Sequence, residues 1–133
     1  MKIALSRASG NFDSALICGA DFDIVQINRD DWGDLEQNLS QNADTVIHAA
    51  SEIHTRPAEF PLKLVSSNIV STAMLLEAIR KQKIERLIFL NSFAVYDESM
   101  HTNKDIPCAP VSLNGIDKLF NLQFPVACHG DTD

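Results

Sequence analysis

The chain has 133 residues, 45% of them hydrophobic and 22% charged, a composition and length that predict one ordinary globular domain. A formal charge of −7 and a pI near 4.9 exclude the basic face that a nucleic acid or an anionic membrane surface requires. Neither is expected as a partner.

The three cysteines, Cys18, Cys108 and Cys128, form no close-spaced framework, and the four histidines, His48, His54, His101 and His129, lack metal-ligand spacing. No metal site is expected, and an odd cysteine count without a framework points to a reducing compartment. The N-terminus passes from Lys2 straight into a strand-like run, with no leader pattern. No apolar run approaches the ~18 residues of a membrane span. The expected location is the cytoplasm.

In chain order, residues 2–6 are a short apolar run that reads as the first strand. A polar turn, Arg7 to Asp13, precedes a short helix over 14–18 with Gly19 as its stop. Residues 22–27, β-branched and apolar, read as the second strand. After the connection Asn28–Gly33, Asp34 is placed to cap a helix through Leu39, with Gln37 three residues on. Residues 44–48 form the third predicted strand, ending in the small-residue turn Ala49-Ala50-Ser51.

A long helix is expected over 61–82. Pro61 suits its first turn, Leu62, Val65, Ile69, Ala73 and Leu76 form its apolar face, and Arg80, Lys81 and Lys83 complement its dipole. The run Leu87–Leu90 reads as a fourth strand, apolar on both faces and therefore covered by helices. It leads into a loop with Ser92, Val95 and Tyr96. Another helix is expected over 114–123, and the tail 124–133 shows no usable periodicity.

Strand, turn and helix repeated at this spacing give βαβ units with right-handed crossovers. The expected fold class is α/β, a Rossmann-like three-layer doubly wound parallel sheet. In such sheets ligands bind beyond the carboxyl ends of the strands. Ser92, two residues past a strand end, is placed for chemistry. A loop serine that only satisfies nearby backbone groups is the plainer reading.

Four segments resemble one family, the extended short-chain dehydrogenase/reductases, which are NAD(P)-dependent nucleotide-sugar epimerases, dehydratases and reductases. Asp44-Thr-Val-Ile-His48-Ala-Ala is similar to its D-x-V-I-H-x-A segment, and Asn68-Ile-Val-Ser-Thr72-Ala-Met-Leu-Leu-Glu77-Ala to its N-V-x-G-T-x-x-L-L-E-A helix. Ser92-Phe-Ala-Val-Tyr96 resembles the S-x-x-V-Y loop, and Asn114-Gly-Ile-Asp-Lys118 falls where the family has Y-G-x-S-K. The resemblance implies catalytic positions at Ser92, Lys118 and Asn114, the last standing in place of tyrosine. It implies NAD or NADP binding by Ser6, Arg7, Gly10, Asn11, Phe12, Asn28, Arg29, Asp31, Trp32, His48, Ala49, Ala50, Asn68 and Lys118. Ser51 would line the same trough, and Asp34-Leu35 competes with Asp31-Trp32 for the place near the adenine.

The departures are specific. The glycine-rich turn T-G-x-x-G-x-x-G reads Ser6-Arg7-Ala-Ser-Gly10-Asn-Phe-Asp13 and keeps only its middle glycine, so cofactor binding is expected to be weakened. Asn28 stands where many NAD-binding relatives have an acid. With Arg29 beside it, that leans towards NADP, although an exposed loop arginine is equally ordinary. Asn114 has no titratable proton in the useful range, so Tyr96, the single tyrosine of the chain, water or another chain would have to supply the missing acid.

The family usually continues into further strands and a substrate-binding lobe, which is expected to be absent here. Two readings result: an epimerase/dehydratase-like protein of nucleotide-sugar metabolism with impaired catalysis, or a truncated, non-catalytic binding or interaction module. A nucleotide-sugar substrate and a homodimer through helices 61–82 and 114–123 are the implied partners.

Overall fold

The computed structural model describes residues 1–6, 11–19, 21–39, 43–52, 60–96, 105 and 107–129; the side chains of 11–13, 16, 29–31 and 124–129 fall outside that description. The chain divides into two compact units, Met1–Ser51 with Met74–Leu90, and Glu52–Ala73 with Asn91–Asp133.

In the first unit, β1 (Lys2–Ser6), β2 (Asp23–Ile27), β3 (Thr45–His48) and β4 (Arg86–Phe89) form a parallel sheet in the order β2-β1-β3-β4. Parallel neighbours need crossovers. Helix α1 (Asn11–Gly19) links β1 to β2, and a 3-10 segment (Arg29–Asp34) with α2 (Leu35–Leu39) leads on to β3. The register places Ser6 beside both Ile27 and His48, and His48 beside Phe89, so these four residues share one row at the carboxyl end of the sheet.

The two central strands are buried along nearly their whole length because both sheet faces are covered. Ala4 and Val46 pack on one face with Ile27, Leu35, Leu39, Leu75, Ala78 and Ile79. Ile3, Leu5 and Ile47 point the other way, with Ile17, Ile24 and Leu90 against them, as alternation along a strand requires.

Several expectations are corrected. The fourth strand is not buried on both faces: it is the last strand of the sheet among the described residues, its exposure alternates, and Ile88 is 44% exposed. It pairs over 86–89 rather than 87–90. Helix α1 begins at Asn11 rather than Ser14, and β2 at Asp23, leaving Phe22 exposed.

The long helix α3 (Pro61–Gln82) contributes Pro61–Ala73 to the second unit and Met74–Gln82 to the first. Pro61 occupies its first turn, where a missing N–H costs nothing. Its end in the first unit is a Schellman cap: Lys83 takes φ 55°, Lys83 N–H bonds Arg80 O at 3.2 Å, and Ile84 N–H bonds Ile79 O at 3.1 Å. A lysine there carries the Cβ strain that glycine avoids.

The expected apolar face of α3 is also corrected. Leu62 is 83% exposed and Val65 is exposed, while Leu64, Asn68 and Thr72 are buried. Two causes combine. The buried face carries polar residues that a hydropathy pattern assigns to solvent, and Val65–Val70 is a π-helical stretch, which adds a residue to the turn and shifts the register. By length and composition alone α3 is apolar enough to cross a membrane. Its buried Asn68 donates to Asp117 on a different helix of the second unit, and its buried Thr72 bonds back to Asn68 O.

The rest of the second unit is a 3-10 turn (Phe93–Val95) and α4 (Leu113–His129). Helix α4 was expected over 114–123 only. The backbone stays helical past Pro125, a residue that forfeits a hydrogen bond inside a helix and so hides the continuation from a reading of the sequence.

Candidate functional site

The first unit concentrates its candidates where the strand order reverses. The chain leaves β1 for β2 on one side and β3 lies on the other, the crevice position at which open α/β sheets bind ligands. At that point Ser6 Oγ lies 2.5 Å from His48 Nδ1, and both residues are buried. The His48 ring is 5.3 Å from that of Phe89 and 6.4 Å from that of Trp32. The backbone ladder continues past the strands, with Ala49 N–H to Ser6 O at 3.1 Å and Leu90 N–H to His48 O at 3.0 Å.

Ala49, Ala50 and Ser51 follow, all half-buried, and Ser51 Oγ is buried with no hydrogen-bond partner. Such a hydroxyl is expected to be satisfied by something. Asn28, just past β2, is exposed, and Trp32 packs against the core that holds Leu35. Asn11 and Phe12 open α1, and Arg29 and Asp31 open the 3-10 segment; only their backbone is described. Arg7 and Gly10 lie outside the described residues.

The second unit holds Ser92, Asn114, Lys118 and Asn68. Ser92 is half-buried and caps the 3-10 turn, its Oγ accepting from Ala94 N–H at 3.2 Å. That is the backbone-satisfying role open to any loop serine. The turn is nevertheless held against α4. A Cβ added at Gly115 would sit 2.0 Å from Ala94 O and 2.8 Å from Pro110 Cβ, so only glycine permits this approach. Ala109 N–H bonds Val95 O at 3.0 Å, and Val95 is buried. The structure thereby brings the Ser92 turn onto the helix carrying Asn114 and Lys118. Asn114 Oδ1 is buried without a partner. Lys118 is half-buried, and burial lowers its ammonium pKa while the charge of Asp117 opposes the shift.

Asn68 sits in the π-helical stretch and is fixed from several directions. Its Oδ1 accepts from Glu52 N–H at 2.7 Å, and its Nδ2 donates to Glu52 O at 3.0 Å and to Asp117 Oδ2. Its carbonyl accepts from Thr72 Oγ1 at 2.5 Å and from Asn121 Nδ2 at 3.2 Å. Asp117 and Asn121 are therefore central to this unit, and the motif reading passed over both. A signal for Asp117 existed: a carboxylate stands where the Y-G-x-S-K pattern has serine.

A model of the NAD dependent epimerase/dehydratase family matches residues 2–130. No curated protein matches the chain. Among solved structures, UDP-N-acetylglucosamine 4-epimerase from Methanobrevibacter ruminantium M1 superposes with a TM-score of 0.85 at 20% identity, over 98% of this chain and 51% of its own. UDP-glucose 4-epimerase from Brucella ovis, in complex with NAD, gives 0.84 at 20% identity, over 95% and 47%. UDP-glucuronic acid 4-epimerase from Bacillus cereus, also with NAD, gives 0.80 at 24% identity, over 98% and 53%. The chain thus spans about half the length of these structures, and the likeness establishes a shared Rossmann-like fold.

Proposed function

The chain belongs to the NAD dependent epimerase/dehydratase family, and from that premise we propose that it is an NAD(P)-binding, nucleotide-sugar-directed member whose proton transfer is impaired at Asn114. The observation that carries this reading is the glycine-mediated seat of the Ser92 turn on α4, next to Asn114 and on the helix of Lys118. Ser92 would hydrogen-bond a sugar hydroxyl or carbonyl, and Lys118 would orient the cofactor's ribose. The missing tyrosine withholds general acid–base help, ordinarily worth about 10²–10⁴-fold.

The first unit fits a dinucleotide. The N-terminus of α1 follows β1, presenting backbone N–H groups suited to a pyrophosphate. The unpartnered Ser51 hydroxyl supplies a donor in the small-residue turn after β3. Ser6 and His48 would fix the strand ends there, while Asn28 and Arg29 would meet the adenosine ribose. When bound, the nicotinamide would accept and return a hydride. Several neighbours carry NAD or UDP-sugars in their structures, which supports this ligand class. Exposed Leu62, Val65 and Val70 on α3, and Ile116, Phe120 and Leu122 on α4, support pairing of two copies through these helices.

A second reading is favoured by Asn114 itself: a protein that binds the dinucleotide and does no chemistry. One experiment separates the two. NADH and NADPH are titrated while their fluorescence is followed, and Asn114→Tyr is then assayed with UDP-glucose as probe. Saturable binding with turnover gained in the variant supports the impaired enzyme. Binding with no turnover in either form supports the binding module. No fluorescence change up to millimolar cofactor overturns both.

A further inference from the structure

The polar core of the second unit has an imbalance that the proposed chemistry does not use. Along one side of α4, Asn114, Asp117 and Asn121 each leave Oδ1 buried without a hydrogen-bond partner. Asp117 is 3% exposed and Asn121 2%. Spacings of three and four residues bring successive members of this row together on one helix face.

Neither of the surrounding amides can turn round to supply a donor. Asn121 Nδ2 is committed to Asn68 O at 3.2 Å. Asn68 is locked by the Glu52 backbone, which takes its Nδ2 at 3.0 Å and gives to its Oδ1 at 2.7 Å. Reversing either amide sets oxygen against oxygen. Of the three residues with an orphaned Oδ1, Asp117 is the one that gains a donor by binding a proton rather than by turning an amide.

We propose that Asp117 is folded in as a neutral carboxylic acid, with Oδ1 carrying a proton that it donates to Asn121 Oδ1 one turn along α4. A single proton satisfies two orphaned oxygens and spares the site the desolvation of a buried carboxylate. Asp117 Oδ2 keeps its bond from Asn68 Nδ2. Burial raises the Asp117 pKa, while the Asn68 bond, the Lys118 charge and the Lys118 backbone N–H act against it.

The facing groups are few among the described residues. The π-helical stretch and the 3-10 turn that pack on α4 carry no titratable side chain, and Tyr96 follows that turn. Lys118 adjoins on the same helix, and the carboxylate of Glu52 is paired with Lys63 at 3.2 Å. Release of the proton would set Asp117 Oδ1 against Asn121 Oδ1, acceptor against acceptor, in the core, a cost that the adjoining Lys118 ammonium offsets only in part. The second unit therefore loosens as pH rises.

The direct test is the titration of the Asp117 side-chain carboxyl carbon by NMR in the full chain, assigned through bonds to the Lys118 amide. The expected midpoint lies above the value of about 3.9 for an aspartate in an unfolded chain. A midpoint at or below that value overturns the proposal. Thermal melting against pH, compared with Asp117→Asn, is the second arm. A proton bound more tightly in the folded chain stabilises fully below the unfolded-chain pKa of about 3.9 and is lost as pH rises through the folded pKa. Wild type should lose melting temperature across that window, and the asparagine variant should lack that component. An identical pH dependence in the two proteins also overturns the proposal. If Asp117→Asn does not fold, the wild-type carbon titration decides alone.

Discussion

The two units differ in the balance of what they bury: the sheet unit adds Ser6, Thr45 and His48 to a larger aliphatic core, and the helical unit adds Leu64 and Val95 to a polar one. The sheet unit closes over aliphatic side chains, with Ala4, Leu5, Val46 and Leu75 wholly enclosed. The helical unit closes over two asparagines, a threonine and an aspartate: Asn68, Thr72, Asp117 and Asn121. Apolar burial is non-directional and tolerates exchange of shape at constant volume. A buried polar set is held by specific partners, and each unmatched atom counts against it. The comparison teaches that the two halves should fail differently under substitution.

The largest effect is expected in the sheet unit. Leu75→Ala removes a fully buried side chain from the main core and should cost about 2–5 kcal/mol by denaturant unfolding, whereas Leu75→Met should cost less than about 1.5 kcal/mol. In the helical unit even a volume-conserving change should be felt. Asn68→Leu removes the partners of Glu52 and Asp117; half-buried Glu52 can turn to water, but the buried Asp117 oxygen cannot, and the change should cost about 1–3 kcal/mol. If Asn68→Leu is tolerated as well as Leu75→Met, the contrast between the units fails. The smallest effect is a gain: Lys83→Gly relieves the left-handed residue at the end of α3 and should raise stability by about 1 kcal/mol. A melting temperature unchanged or lowered would mean that the lysine is not strained there.

How far the sequence could be read follows the same division. The central strands were legible because Ile3-Ala4-Leu5 and Thr45-Val46-Ile47 are short apolar runs bounded by polar turns, a pattern that burial on both faces imposes. The place of β4 as the last strand among the described residues was not, because an apolar run does not reveal where its strand sits in the sheet. The Ser92 loop and Gly115 were legible by resemblance to a motif, yet the motif gave no reason for the glycine. That reason is the approach of Ala94 O. Asp117 and Asn121 were illegible because a pattern of hydropathy sends polar side chains to solvent. Their burial depends on amide partners about fifty positions away, on α3.

The π-helical turn at Val65–Val70 makes α3 unusually tolerant of one class of genetic change. Such a turn holds one residue more than the α turn it replaces, so the helix on either side keeps its phase. Deleting Ser66 or Val70, both exposed, would restore α geometry and leave Leu64 and Thr72 on the face they now bury. Deleting Ser71, where the helix is already α, would instead turn Leu64 and Asn68 by about 100° relative to Thr72. In a scan of one-codon deletions, Ser66 and Val70 should be tolerated better than Ser71, although all three positions accept point substitution.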